Sequence, residues 1–185
     1  SELSIRRDNL FNKMKENSVA VIFAGAAKIC SEDEFYPFFA NRNFFYLTNI
    51  EQENSILLLV KGIGERKTYL FVDEYDELKE KWTGRRITFD EARDISKIDN
   101  VLSTNAFENM LSLALANKDN QYGSINTLYL DLSPELKIKD QFYLKLILKL
   151  YFFLLHLLLQ PFLFTPLPFR SISFLSCFIY SNPFG

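Results

Sequence analysis

Apolar positions along this chain follow two different rhythms, and the change between them outlines the elements. Ile5, Leu10 and Met14 sit near helical spacing among charged residues, which predicts a surface helix over about residues 4–16. Ser18–Ala24 (SVAVIFA) then reads as a continuous β-branched run, the mark of a strand covered on both faces, and Gly25 ends it. Asn43–Leu47 (NFFYL), Ser55–Lys61 (SILLLVK) and Lys67–Val72 (KTYLFV) read as further strands. Gly62-Ile63-Gly64 supplies a turn between the last two, which predicts an antiparallel hairpin.

Helical signals return after the hairpin. Asp73–Lys81 is acidic and reads as a short exposed helix. Thr88 and Glu91 have capping-box spacing and open a helix through about Ile95. Asn105 with Glu108 is a looser version of the same signal, followed by Phe107, Leu111 and Leu115 as a core-facing stripe. Leu128–Leu132 alternates like a strand, and Ser133-Pro134 marks a further helix start. Continuous apolar strands interleaved with amphipathic helices predict a layered α/β domain, and the hairpin makes its sheet mixed.

Composition divides the chain in two. All 23 acidic residues lie at or before Asp140, so residues 1–140 carry 18 basic against 23 acidic groups. Residues 141–185 hold only Lys145, Lys149 and Arg170 as charges, with nine of the 19 Phe and four of the six Pro. Such a change of vocabulary within one domain is abnormal. It suggests a domain over 1–140 and a separate apolar tail over 141–185, read in a shifted frame of an A/T-rich gene. Lys145, Lys149, His156 and Gln160 interrupt the apolar run, and Pro161, Pro166 and Pro168 stop a helix, which argues against a membrane span. A net charge of −2 excludes a polyanion-binding footprint. Cys30 and Cys177 do not make a disulfide framework, and the charged N-terminal stretch lacks the apolar core of a signal peptide. Both features suit a cytoplasmic protein.

Several motifs follow in a particular order. Arg6-Arg7 with Leu10 and Met14 is followed by the strand Ser18–Gly25, then by Ser31, Asp33, Tyr36 and Pro37 in an S-x-D-x-x-Y-P arrangement. Asn43–Thr48 (NFFYLT), Glu51, the ILLLV strand, Leu70-Phe71-Val72 and Trp82-Thr83-Gly84-Arg85-Arg86 complete the series. This order closely resembles the N-terminal domain of Xaa-Pro aminopeptidases and prolidases, the creatinase-like "pita-bread" metallopeptidases, over roughly residues 5–132. Asn49 replaces the usual Gly and Gln52 the usual Pro. Asn tolerates the left-handed turn that Gly would supply.

The resemblance implies a mixed sheet flanked by helices, and an indirect role. In the family this domain contributes to homo-oligomer contacts. Its loops shape and cover the pocket for peptides with proline in second position. The chemistry belongs to a second domain, where two Asp, one His and two Glu hold two metal ions, typically Mn²⁺, that activate a bridging water. No cofactor or metal ligand is expected in this chain, whose single histidine, His156, matches none of those ligands. The chain is therefore expected to be inactive alone. The alternative is a stand-alone binding module of the same fold without a peptidase role.

By the resemblance, the pocket or interface residues are Asp33, Tyr36, Arg42, Trp82, Arg85 and Arg86. Local sequence offers blander readings beside these. Asp33 sits in a turn where Ser31 and Glu34 also have capping-box spacing, and Trp82 suits either a binding loop or a core. Arg85 and Arg86 suit either a peptide carboxylate or salt bridges to the nearby acidic run. Tyr36 and Arg42 suit loop anchoring. The acidic run 73–80 lacks the spacing of a cation-binding loop, and Gly62-Ile63-Gly64 lacks the residues of a phosphate loop.

Overall fold

The computed structural model describes residues 1–27, 37–74, 80, 84–116, 122–123, 125–131 and 171–174. Its frame is a six-stranded sheet: β1 (Ser18–Phe23), β2 (Ile56–Lys61), β3 (Arg66–Val72), β4 (Asn100–Ser103), β5 (Thr127–Leu130) and β6 (Ser171–Phe174). The strand order is β4-β3-β2-β1-β5-β6. β2 pairs antiparallel with both β1 and β3, and every other pairing is parallel. All strands but β2 therefore point the same way. The mixed sheet predicted from the hairpin is what forms. The 141–185 segment contributes β6, which lies beside β5 in register from Thr127↔Ser171 to Leu130↔Phe174.

Four α-helices accompany the sheet among the described residues: α1 (Glu2–Lys13), α2 (Arg42–Thr48), α3 (Phe89–Ser96) and α4 (Phe107–Ala116). Alternate strand residues feed two cores. Ala20, Ile22, Leu57, Leu59, Leu70 and Val72 pack with Leu10, Phe11, Phe44, Leu47 and Ala92 from α1, α2 and α3. Val19, Val21, Phe23, Leu58, Val60 and Phe71 pack on the other side with Phe107, Leu111 and Leu115 of α4. Burial on both faces explains why β1 and β2 read as unbroken apolar runs.

Two cations hold the helices on the first face. The buried Arg7 guanidinium donates to Leu47 O at 2.9 Å, Ser96 O at 2.9 Å and Lys97 O at 3.0 Å, and so closes the C-terminal ends of both α2 and α3. Lys61 Nζ does the same for α1, donating to Phe11 O at 2.9 Å and Met14 O at 2.7 Å. Carbonyls at helix C-termini lack intrahelical partners and carry partial negative charge, which makes them natural acceptors for buried cations. The inward stripe of α1 is consequently Arg7, Leu10, Phe11 and Met14, whereas Ile5 is exposed.

Three expectations change. Asn43–Leu47 is helix, not strand. Asn41 caps α2 by accepting from Asn43 N at 2.8 Å, and Asn49 ends it in the left-handed region at φ 57°. The helical period was hidden because α2 is aromatic on both sides: Asn43, Phe44, Leu47 and Thr48 are buried, while Phe45 and Tyr46 face outward. The start of α4 also differs. Ser103, not Asn105, provides the cap, accepting from Asn105 N at the head of a 3₁₀ turn, Thr104–Ala106. The third change is Ile5, which lies outside the stripe assigned to it. The Thr88–Glu91 capping box forms as expected. The expected helices at Asp73–Lys81 and after Ser133 fall largely outside the described residues.

Candidate functional site

One set of buried polar groups converges at an edge of the sheet. The C-terminal ends of β1, β3, β4 and β5 meet there, together with the segment entering β2. The carboxyl edge of parallel strands is where α/β sheets generally place their sites, because chain leaving the strands has room to splay.

Arg86 is the centre of this edge. It is 7 % exposed. Nη1 donates to Asp73 Oδ2 at 2.7 Å and Nη2 to Glu53 Oε1 at 3.2 Å. Its backbone N–H donates to Glu80 Oε1 at 2.8 Å. Each carboxylate reaches further. Glu53 Oε2 accepts from Ala27 N at 3.1 Å, just past β1. Asp73 Oδ1 accepts from Thr104 Oγ1 at 2.7 Å, just past β4. Gln52 Oε1 accepts from Ile87 N at 2.9 Å. Both terminal nitrogens of Arg86 are thus spent on protein carboxylates.

A second polar group lies at the end of β5. Asp131 is fully buried, and its Oδ2 accepts from Asn43 Nδ2 at 3.0 Å while Oδ1 has no hydrogen-bond partner. Burial raises its carboxyl above the usual range, with the Asn43 and Asn41 amides opposing. Asn41 N donates to Ala24 O at 2.7 Å, which seats the start of α2 on the end of β1.

The sequence-predicted residues distribute around this edge. Arg42 is exposed at the start of α2. Arg85 is exposed and pairs with Glu91, the capping-box carboxylate, whose backbone bond from Thr88 holds it below the ordinary range. Asp33, Tyr36 and Trp82 lie outside the described residues. The described residues that flank them in sequence, Ala27 and Asn41, and Asp73 and Arg86, lie at this edge. Sequence reasoning did not assign Glu53, Gln52, Asp73, Thr104, Asn43 or Asp131 to the site. Asp73 was grouped with the solvated acidic run. The usable signal was a carboxylate directly ending an apolar strand, as Asp73 follows β3 and Asp131 follows β5.

The described residues of the edge do not fit a dinuclear metal centre. Among the described residues no group of three or more His, Cys, Asp or Glu is placed to hold a metal ion. Glu53 and Asp73 are engaged by Arg86, and Asp131 stands with amides. A separate groove of about 340 Å³, at the opposite ends of β3 and β4, is lined by residues including Arg7, Asp8, Arg66, Lys97 and Asp99. Among the described residues, no helix is long and apolar enough to cross a membrane.

The family described as aminopeptidase P, N-terminal domain, matches residues 4–122. The chain belongs to this family. A Haemophilus influenzae Xaa-Pro aminopeptidase is 32% identical over 116 residues, 63% of this chain and 27% of that protein. The solved proline aminopeptidase P II from Yersinia pestis superposes with a TM-score of 0.72 at 25% identity, covering 96% of this chain and 37% of the other. A zinc-substituted Escherichia coli aminopeptidase P in complex with product matches at a TM-score of 0.73 and 24% identity, a likeness of fold, over 96% of this chain and 37% of that one. The chain thus spans about a quarter to two fifths of the length of these relatives. The aminopeptidase P N-terminal fold expected from motif order is the fold observed.

Proposed function

We propose that this domain is the non-catalytic accessory part of a metal-dependent Xaa-Pro aminopeptidase-like hydrolase. It supplies oligomer contacts and gates the pocket in which a separate domain cleaves the bond preceding proline. The observation that carries this reading is the shared edge. Both segments bearing the pocket residues leave the sheet there, while its described acids are neutralised internally by Arg86 or held by amides. Such an edge suits holding loops better than holding metal. Asp33, Tyr36, Arg42, Trp82 and Arg85 remain the residues assigned to pocket and interface, whereas Arg86, turned inward onto Asp73 and Glu53, supports the edge they flank.

Contacts with another domain or subunit are supported by the outer side of α2. Phe45 and Tyr46 stand outward on α2, Tyr46 beneath the Arg6 guanidinium, and Phe39 just before the helix is 78 % exposed. A short helix that is apolar on both sides gains from cover. The zinc-substituted E. coli protein supports metal chemistry in that enzyme. Two Mn²⁺ ions held by the other domain, a unit over residues 1–140 and cytoplasmic residence belong to the same proposal.

The test uses the complete chain and the separately expressed remainder of the H. influenzae relative, which the proposal holds to carry the metals. Kinetics on Xaa-Pro peptides with Mn²⁺ are followed as the chain is added. The expected result is a saturable fall in KM. Identical kinetics with and without saturating chain would refute the role.

A further inference from the structure

We infer that the outer edge of β5 is a strand-acceptor site. It binds an extended segment in parallel through the main chain, and Ser171–Phe174 fills it in this chain. The inference goes beyond the gating reading and does not depend on it.

The direction of each backbone group follows from the pairings, because successive residues of a strand turn their N–H and C=O to opposite neighbours. Ala24, continuing β1, donates its N–H to Ser55 O at 2.9 Å, so even-numbered β1 residues face β2 and Val21 faces β5. Asp131 N donates to Val21 O at 3.1 Å, which turns the backbone groups of Asp131 and Tyr129 toward β1. Leu128 and Leu130 therefore turn theirs outward, to β6. With Leu128↔Ile172 and Leu130↔Phe174 in register, the groups that answer them belong to Ser171 and Ser173. Those of Ile172 and Phe174 point away from β5.

This edge demands an occupant. Leu128 and Leu130 are 0 % and 7 % exposed, and a buried N–H or C=O left unpaired is costly. The demand is for main chain rather than for particular side chains, since backbone bonds supply the affinity when a strand is added to a sheet. That accounts for the origin of the occupant. β6 comes from the 141–185 segment, which has no acidic residue and a vocabulary unlike the rest of the chain. β6 is also weakly held. It is four residues long, pairs in parallel, and has β5 as its one partner among the described strands. A short parallel edge strand opens before the strands within the sheet. The same edge then receives an equivalent segment supplied in trans.

The test is amide hydrogen exchange, read by NMR on the complete chain. Ser173→Pro removes an N–H that faces β5, whereas Ile172→Pro removes one that faces away, so the two variants differ only in direction. In Ser173→Pro, Leu128 and Leu130 should exchange about tenfold faster or more, while Tyr129, which faces β1, keeps its rate. Ile172→Pro should leave all three as in the parent. An excess of a peptide with the sequence of residues 169–176 should restore protection at Leu128 and Leu130 in Ser173→Pro. The same peptide with proline at the Ser173 position should not. Should Ser173→Pro fail to fold, the parent carries the test: Leu128 and Leu130 exchange faster than Tyr129, and the peptide slows them. Equal effects of the two proline variants, or no acceleration in Ser173→Pro, would overturn the assigned edge. A peptide that leaves Leu128 and Leu130 unprotected would overturn its role as an acceptor.

Discussion

Replacing Arg7 by Met should loosen the whole helical layer on one face of the sheet. Met preserves most of the aliphatic stem and the helix propensity, so what is lost is the guanidinium and its three bonds to Leu47 O, Ser96 O and Lys97 O. Each hydrogen bond to a charged group is worth roughly 1.5–3 kcal/mol, a gross loss of several kcal/mol. Two effects offset part of it. Burial depresses the Arg7 pKa, with Asp8 opposing, so removing the charge relieves a desolvation cost. The groove beside Arg7 also lets water reach some of the freed carbonyls. A net destabilisation of about 3 kcal/mol is expected, with about half of that for Arg7→Lys, which cannot fork across two helix ends. The assay is urea denaturation followed by circular dichroism, at unchanged m-value. If Arg7→Met costs less than about 1 kcal/mol, closure of α2 and α3 by one shared cation is not what docks them.

Three further outcomes follow from particular backbone and charge positions. A Cβ at Gly62 would lie 2.5 Å from Tyr122 O, whereas one at Gly64 meets nothing within 4 Å. Gly62→Ala should therefore cost about 2 kcal/mol or more by overpacking, and Gly64→Ala about 1 kcal/mol from its positive φ, both read as shifts in urea midpoint; equal costs would contradict the close approach. Asn49→Ala should cost about 1 kcal/mol because Asn49 ends α2 at φ 57°, while Asn49→Gly should cost nothing measurable in the same experiment. Because burial raises the Asp131 carboxyl, the folded state keeps this proton at pH values where the unfolded chain has released it. Its contribution is thus fully favourable below the ordinary carboxylate range and is lost as pH rises through the folded-state value. Asp131→Asn should flatten that part of the stability–pH curve, with its advantage over the parent growing toward neutral pH; parallel curves would refute the assignment.

What could be read from the sequence was what short-range chemistry decides. The β1 run, the Gly62–Gly64 hairpin and the Thr88–Glu91 box each carry their cause within a few residues. α2 was misread because its outward residues, Phe45 and Tyr46, are as aromatic as its inward Phe44, so burial left no trace in the pattern. Asn49 was legible as a left-handed turn residue in place of Gly, whereas Asn41 gave no sign that it caps a helix. The Arg86 network joins residues as far apart as Ala27 and Thr104, and no periodicity or spacing rule records such a meeting. Motif order reached further than patterning here. It identified the domain and both loop-bearing segments, although it gave no hint that Arg86 turns inward while Arg85 turns out.

The central proposal is that this domain has an accessory, non-catalytic role in peptide cleavage. The direct measurement is hydrolysis of an Xaa-Pro peptide by the purified chain alone, with Mn²⁺ added and a protein-free blank containing the same metal. The account predicts release of the first residue at the blank rate, whatever the chain concentration. Turnover that rises in proportion to the chain would contradict it.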